Sequence, residues 1–128
     1  VVADDPRDAG DEAELRRQPD LGLLHAENFL GGRTVMSIQY WRSFDQLHDY
    51  AHAKDRAHLP AWAAFNRRAR GNTAVGIFHE TYLVAAGRYE CIHVNMPRQG
   101  LLRAGEPVAV TGRNDTARQR LGREPSSD

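Results

Sequence analysis

Large apolar and polar residues alternate over two adjoining stretches early in the chain. From Leu21 to Leu30, the side chains of Leu23, His25, Glu27 and Phe29 fall on one side of an extended backbone. Leu24, Ala26, Asn28 and Leu30 fall on the other. From Arg33 to Trp41, one side carries Thr34, Met36, Ile38 and Tyr40. The other carries Arg33, Val35, Ser37, Gln39 and Trp41. Period-two alternation predicts a strand in each case, and the β-branched and aromatic content suits a pleated surface. Gly31-Gly32 between them predicts a hairpin, since glycine supplies the positive φ of a two-residue turn. With both glycines in the turn, Leu30 pairs with Arg33, Asn28 faces Val35, Ala26 faces Ser37 and Leu24 faces Gln39. On the opposite face Glu27 then meets Met36 and His25 meets Ile38. Both faces of the second strand mix large apolar with polar groups, which predicts contact on both sides.

At Ser43 the period changes. Ser43 is placed to cap a helix from Phe44 to about Lys54, and Gln46 completes a Ser-x-x-Gln capping box. Its expected buried stripe is Phe44, Leu47 and Ala51. Pro60 opens a second predicted helix that runs to Arg70, with Leu59, Trp62, Ala63 and Phe65 on its apolar side, and Gly71-Asn72 ends it. Alternation returns from Ala74 to Val84 and from Arg88 to Asn95, predicting two more strands joined through Ala85-Ala86-Gly87. Met96-Pro97 closes the second, because proline cannot donate to a ladder. Before the first strand, Asp11 to Gln18 can form about two helical turns, a weak element closed by Pro19-Asp20.

Charge sharpens the boundaries. The 128 residues carry 17 basic and 17 acidic side chains. Ten of these fall in residues 1–20 and nine in residues 103–128. The expected organisation is an acidic N-terminal tail with a short helix over 1–20, an α+β domain over 21–102, and a disordered tail over 103–128. A balanced net charge gives no electrostatic reason to expect nucleic acid or an anionic membrane as partner. No apolar run approaches the roughly 20 residues of a membrane helix. One cysteine, Cys91, excludes a disulfide within the chain and fits the cytoplasm. A core this small would gain from pairing with a second copy, so a homodimer is expected.

Candidate chemistry lies mainly on the strands. His79 and Glu80 sit mid-strand among apolar residues and point to opposite faces; a buried His or Glu there demands a partner such as His93 or Asn95. A structural hydrogen bond and a functional role weigh equally for the pair. Gln39, Trp41, Asn95 and His25 are further polar or amphipathic groups on strands. His48 and His52, one helical turn apart with His58 nearby, have the spacing of a shared metal ligand pair. Plain surface histidines are the commoner outcome of that spacing. Cys91 reads as a small buried filler. Phosphate-binding glycine loops, Gly-x-Ser-x-Gly and Cys-x-x-Cys are all missing from the sequence.

Several spaced runs together resemble a known family. They are Gln39-Tyr40-Trp41-Arg42-Ser43-Phe44, Ala61-Trp62-x-x-Phe65-Asn66, Val75-Gly76-Ile77-Phe78-His79-Glu80-Thr81-Tyr82, Tyr89-Glu90 and Asn95-Met96-Pro97. The chain from about Pro19 to Leu102 is similar to small bacterial and fungal monooxygenase-like proteins, grouped with the antibiotic-biosynthesis monooxygenases of the dimeric α/β-barrel superfamily. The resemblance implies a ferredoxin-like antiparallel sheet with helices on one face, two such sheets packing in a homodimer, and a pocket between sheet and helices. It also implies oxidation of an enolisable aromatic or polyketide-like small molecule by O2 without a cofactor. In that reading His79 is the base, Asn95 and Gln39 donate hydrogen bonds, and Trp41, Tyr82, Glu80 and His93 bind substrate. A haem protein, with His48, His52 or His79 on the iron, is one alternative; a non-catalytic dimeric ligand-binding module is another. Family members carry a strand and a long helix ahead of Pro19, and no strand-like run stands there in this sequence. The first strand of the ferredoxin-like order is therefore expected to be lacking.

Overall fold

The structure, a computed structural model, describes residues 18–53, 74, 76 and 78–122. The chain divides into two compact units, residues 1–80 and residues 81–128.

In the first unit, strand β1 (Leu23–Gly31) and strand β2 (Thr34–Trp41) form a two-stranded antiparallel sheet. The faces agree with the alternation, but the pairing is displaced by two residues from the expected one. Leu30 stands opposite Val35, Phe29 opposite Met36, Asn28 opposite Ser37, Glu27 opposite Ile38 and Ala26 opposite Gln39. The reason lies in the turn. Gly32 has φ +59, whereas Gly31 and Arg33 keep ordinary negative φ. Positive φ at the first central position alone is the pattern of a type II′ turn, so Gly32-Arg33 makes the turn and Gly31 ends the strand. This register sets apolar Leu30 against Val35 and polar Asn28 against Ser37. The expected one left Val35 facing an amide, and matched cross-strand pairs are what stabilise a sheet.

The open end of the hairpin is tied by further bonds. A 3-10 turn at Pro19–Leu21 closes on Gly22, which has φ +93 and donates its N–H to Pro19 O at 3.1 Å. Gly22 O then accepts from the Arg42 N–H at 2.8 Å, joining the entrance of β1 to the exit of β2. A Cβ on Gly22 would overlap the Gln46 side chain, with Gln46 Cβ 2.8 Å away. Glycine is required there by both conformation and space.

Helix α1 (Phe44–His52) starts as the sequence predicts. Ser43 is its N-cap, with Oγ accepting from the Gln46 N–H at 3.2 Å. The reciprocal half of the capping box is used differently. Gln46 Oε1 accepts from the Ser43 hydroxyl at 3.1 Å, and Gln46 Nε2 donates to Asp20 O at 3.2 Å. The side chain thus ties the helix to the 3-10 turn. The inward face is also turned from the expected one. Phe44 and Ala51 are exposed, whereas Tyr50 is 7% exposed and Leu47 is half-buried. Tyr50 turns inward because the Trp41 ring lies beside it, with centroids 5.7 Å apart. Ala26 and Tyr50 are the buried apolar side chains among the described residues. β2 is exposed from Thr34 to Gln39 rather than enclosed on both faces.

The two later strands are not found among the described residues. Residues 78–84 and 89–93 carry no ladder, and Phe78, Tyr82, Leu83 and Val84 are more than half exposed. Alternation prepares a segment for a sheet, but only a hydrogen-bonded neighbour makes it a strand. The predicted helix from Pro60 to Arg70 and the helical turns before Gln18 lie outside the described residues.

In the second unit the turn through Ala85-Ala86-Gly87 does form. Arg88 N–H donates to Ala85 O at 3.1 Å, and Gly87 has φ +73, which suits the third position of a type II turn. Composition leads one to expect a loose tail from Arg103, yet two single-turn helices occupy the region, α2 (Leu101–Ala104) and α3 (Ala117–Arg120). Arg98 donates to Leu102 O and Gly105 O around the end of α2. Thr116 and Gln119 form a full capping box on α3. Arg120 Nε donates to Glu90 Oε2 at 2.7 Å, and its Nη1 to Asn114 O and Asp115 O. Charged and hydroxyl side chains hold this segment through local bonds, which a count of apolar residues does not register.

The corrected turn is testable by substitution. Gly32→Ala should cost about 1–2 kcal/mol, since a Cβ disfavours positive φ even where space is open. Gly31→Ala should change stability by less than about 0.5 kcal/mol. Urea unfolding of both variants checks this, and a larger loss for Gly31→Ala would restore the two-glycine turn.

Candidate functional site

Because paired residues share a face, the hairpin sorts its polar groups into two sets. One face carries Leu30, Asn28, Ala26, Val35, Ser37, Gln39 and Trp41. The other carries His25, Glu27, Phe29, Met36, Ile38 and Tyr40. The first face meets α1 at its Trp41 end. There the indole Nε1–H donates to Gln39 Oε1 at 3.0 Å, and the ring packs against Tyr50. Gln39 and Trp41, both selected from the sequence, are therefore brought together. Their bond occupies the amide oxygen of Gln39.

The second face holds a pair that the sequence analysis left unjoined. His25 Nε2 lies 2.8 Å from Glu27 Oε1, and the two side chains are 12% and 17% exposed. An ionised carboxylate only accepts, so Nε2 carries the proton and Nδ1 is left as the basic nitrogen. The imidazole also stacks on Tyr40 across the ladder, with centroids 6.2 Å apart and planes inclined by 22°. The register slips between Leu23 and His25, so that Leu24 is an extra residue on β1. A bulge of this kind re-aims the side chains beside it. The signal for the pair was in the sequence as His-x-Glu on one strand face. What was missing was any reason to prefer it to other polar strand residues.

The remaining sequence-selected residues are dispersed. His79 and Glu80 are exposed and belong to no ladder. In the second unit Tyr82 is 76% exposed. His93 is half-buried, with Nε2–H donating to Gln99 O at 3.0 Å and Nδ1 buried without a partner among the described residues. Asn95 is not a strand residue. It sits in a bend at φ +53, a conformation that asparagine tolerates better than most residues. His79 belongs to the first unit, whereas His93 and Asn95 belong to the second. Cys91 is half-buried, as a free thiol.

His48 and His52 stack on one another on α1, with ring centroids 4.1 Å apart, and Phe44 lies against His48. His52 Nδ1–H donates to His48 O at 2.7 Å. Among the described residues no group of three or more His, Cys, Asp or Glu side chains is placed to hold a metal ion. A half-open cleft of about 250 Å3 lies between the 3-10 turn and α1, lined by Asp20, Leu21, Gln46, Asp49, Tyr50 and Ala53. None of the residues selected from the sequence lines it. Among the described residues no helix is long and apolar enough to cross a membrane.

Comparison with known proteins agrees with the resemblance. The chain belongs to the family described as Monooxygenase af470-like, whose model matches residues 10–101. It is 34% identical over 119 residues to Monooxygenase af470 of Aspergillus fumigatus, an alignment that takes in 89% of this chain. The chain spans 41% of the length of that relative. No solved structure matches.

The Trp41 contacts give Trp41 a structural duty that any ligand role would have to share. Trp41→Ala should cost about 2–3 kcal/mol, somewhat below the loss for a fully buried tryptophan. Chemical denaturation without ligand measures it. Unchanged stability would leave the ring free to act as a substrate shelf.

Proposed function

We propose that this chain is part of a small-molecule monooxygenase that oxidises an enolisable aromatic or polyketide-like substrate with O2 and needs no bound cofactor. The observation that carries the reading is the family match across residues 10–101. The name of the Aspergillus relative supports oxygenase chemistry as the family's theme. The proposed reaction converts an activated CH2 group to a carbonyl. One oxygen atom of O2 enters the product and the other leaves as water. The two hydrogens and two electrons that reduce the second atom come from the substrate's own methylene, so no outside reductant enters the balance. The protein's part is to accept a proton, stabilise the enolate and limit water around it. The proton acceptor this calls for is an imidazole, the side chain able to take a proton near neutral pH.

The α+β hairpin-and-helix unit is consistent with a ferredoxin-like sheet belonging to a dimeric α/β barrel, working in the cytoplasm with its single cysteine reduced. Residues 21–102 would be its domain. Leu30 and Val35 on the sheet, exposed by 66% and 52%, favour a second copy as its partner.

Oxygen uptake with a panel of anthrones, phenols and 1,3-dicarbonyls tests the activity. The expected result is enzyme-dependent uptake with one atom of 18O2 in the product. Buffer-level uptake across the panel would reject the reading, and a Soret band on purification would redirect it to haem. Light scattering at micromolar concentration should give the mass of a dimer; a monomer mass would reject the paired sheets.

A further inference from the structure

We propose that the proton acceptor of this site is His25, oriented by Glu27 and stacked on Tyr40, on the hairpin face opposite Gln39 and Trp41. The inference rests on the monooxygenase reading and names the group that performs its first step.

Three features set His25 apart. Its side chain is 12% exposed, whereas His79, His48 and His52 lie in exposed positions. Partial burial limits the water that competes with substrate for the base. Its Nε2–H is committed to the Glu27 carboxylate at 2.8 Å, which leaves Nδ1 as the accepting nitrogen. A carboxylate that fixes an imidazole's tautomer and ring orientation is the recurring support of histidine bases. Its ring plane is also held by Tyr40, at 6.2 Å and 22°. The apolar row Ile38, Met36 and Phe29 continues along the same face, with Ile38 directly opposite Glu27. A flat aromatic substrate lying on that row would bring its acidic C–H beside the imidazole.

The step is a single proton transfer. The substrate C–H bond breaks, its electron pair stays on the substrate as an enolate, and the proton moves to Nδ1 of His25. The positive charge arrives 2.8 Å from the Glu27 carboxylate, so it is compensated as it forms. Glu27 acts through His25 and is a positioning residue; it is not the proton acceptor.

Hydrogen–deuterium exchange of anthrone at its methylene carbon, run without oxygen in D2O, isolates this step from oxidation. Wild-type protein should exchange the methylene faster than buffer. His25→Gln should slow the catalysed rate about 10²–10⁴-fold. Glu27→Gln should lower the maximal rate about 10-fold with the half-saturating anthrone concentration nearly unchanged, a split that loss of binding alone would not produce. Circular dichroism confirms the fold of each variant. Should His25→Gln fail to fold, carbethoxylation of wild-type histidines, mapped by peptide mass, keeps the question open to measurement. Loss of exchange should then track modification of His25. Exchange that survives in folded His25→Gln, that tracks His79 instead, or that never exceeds buffer in wild type overturns the proposal. Exchange without oxygen uptake in air would keep the His25–Glu27 assignment and reject the monooxygenase reading. Oxygen uptake that survives in His25→Gln would do the reverse.

Discussion

The hydrogen-bonded ladder between β1 and β2 is the constraint on which the first half of the molecule depends. A strand's N–H and C=O groups must be satisfied by a neighbour. Among the described residues these two segments are the ones that supply each other. Once the ladder forms, the period of two decides which side chains share a face, and the turn decides which of them meet. Gly32 at φ +59 sets that meeting. From it follow the apolar Leu30–Val35 contact, the placing of Glu27 against Ile38, and the separation of the Gln39–Trp41 bond from the His25–Glu27 pair.

The open end of the hairpin depends on fewer atoms. Gly22 O holds Arg42, and the Gln46 side chain holds Asp20 O while its own N–H is capped by Ser43. These polar contacts bring α1 to the sheet, where Trp41 and Tyr50 meet. Among the described residues so little apolar area is buried that a small set of hydrogen bonds carries the geometry. Net hydrogen-bond contributions are about 1 kcal/mol each, so such a unit gains from whatever further surface covers the sheet.

The second unit is organised by different means. Its order comes from side chains bonding to nearby carbonyls, above all Arg98 and Arg120, and from the Thr116 capping box. Guanidinium groups do this well because their donors are spread in a rigid fork. Extended apolar segments in the same unit, including Ile92 and Val94, remain exposed.

Local rules were enough to read much of this from the sequence. The hairpin, its two faces, the Ser43 cap, the start of α1 and the Ala85–Arg88 turn depend on residues within a few positions of one another. Their causes are steric and can be read locally. The family was legible too, because its spaced aromatic and polar runs are a pattern of residues rather than of contacts. What needed tertiary structure was every choice among near-equal partners. Either residue pair, Gly31-Gly32 or Gly32-Arg33, can make a turn, and cross-strand matching selected the second. Phe44, Leu47 and Tyr50 all lie near one helix face, and the Trp41 ring selected Tyr50. The segments from residue 78 to 84 and from 89 to 93 alternate as well as β1 does, but no neighbour bonds them into a ladder among the described residues. His79 and His25 look alike in sequence as mid-strand histidines. One stands exposed and the other is half-buried against Glu27 and Tyr40, because a side chain's chemistry is set by residues that only the fold brings to it.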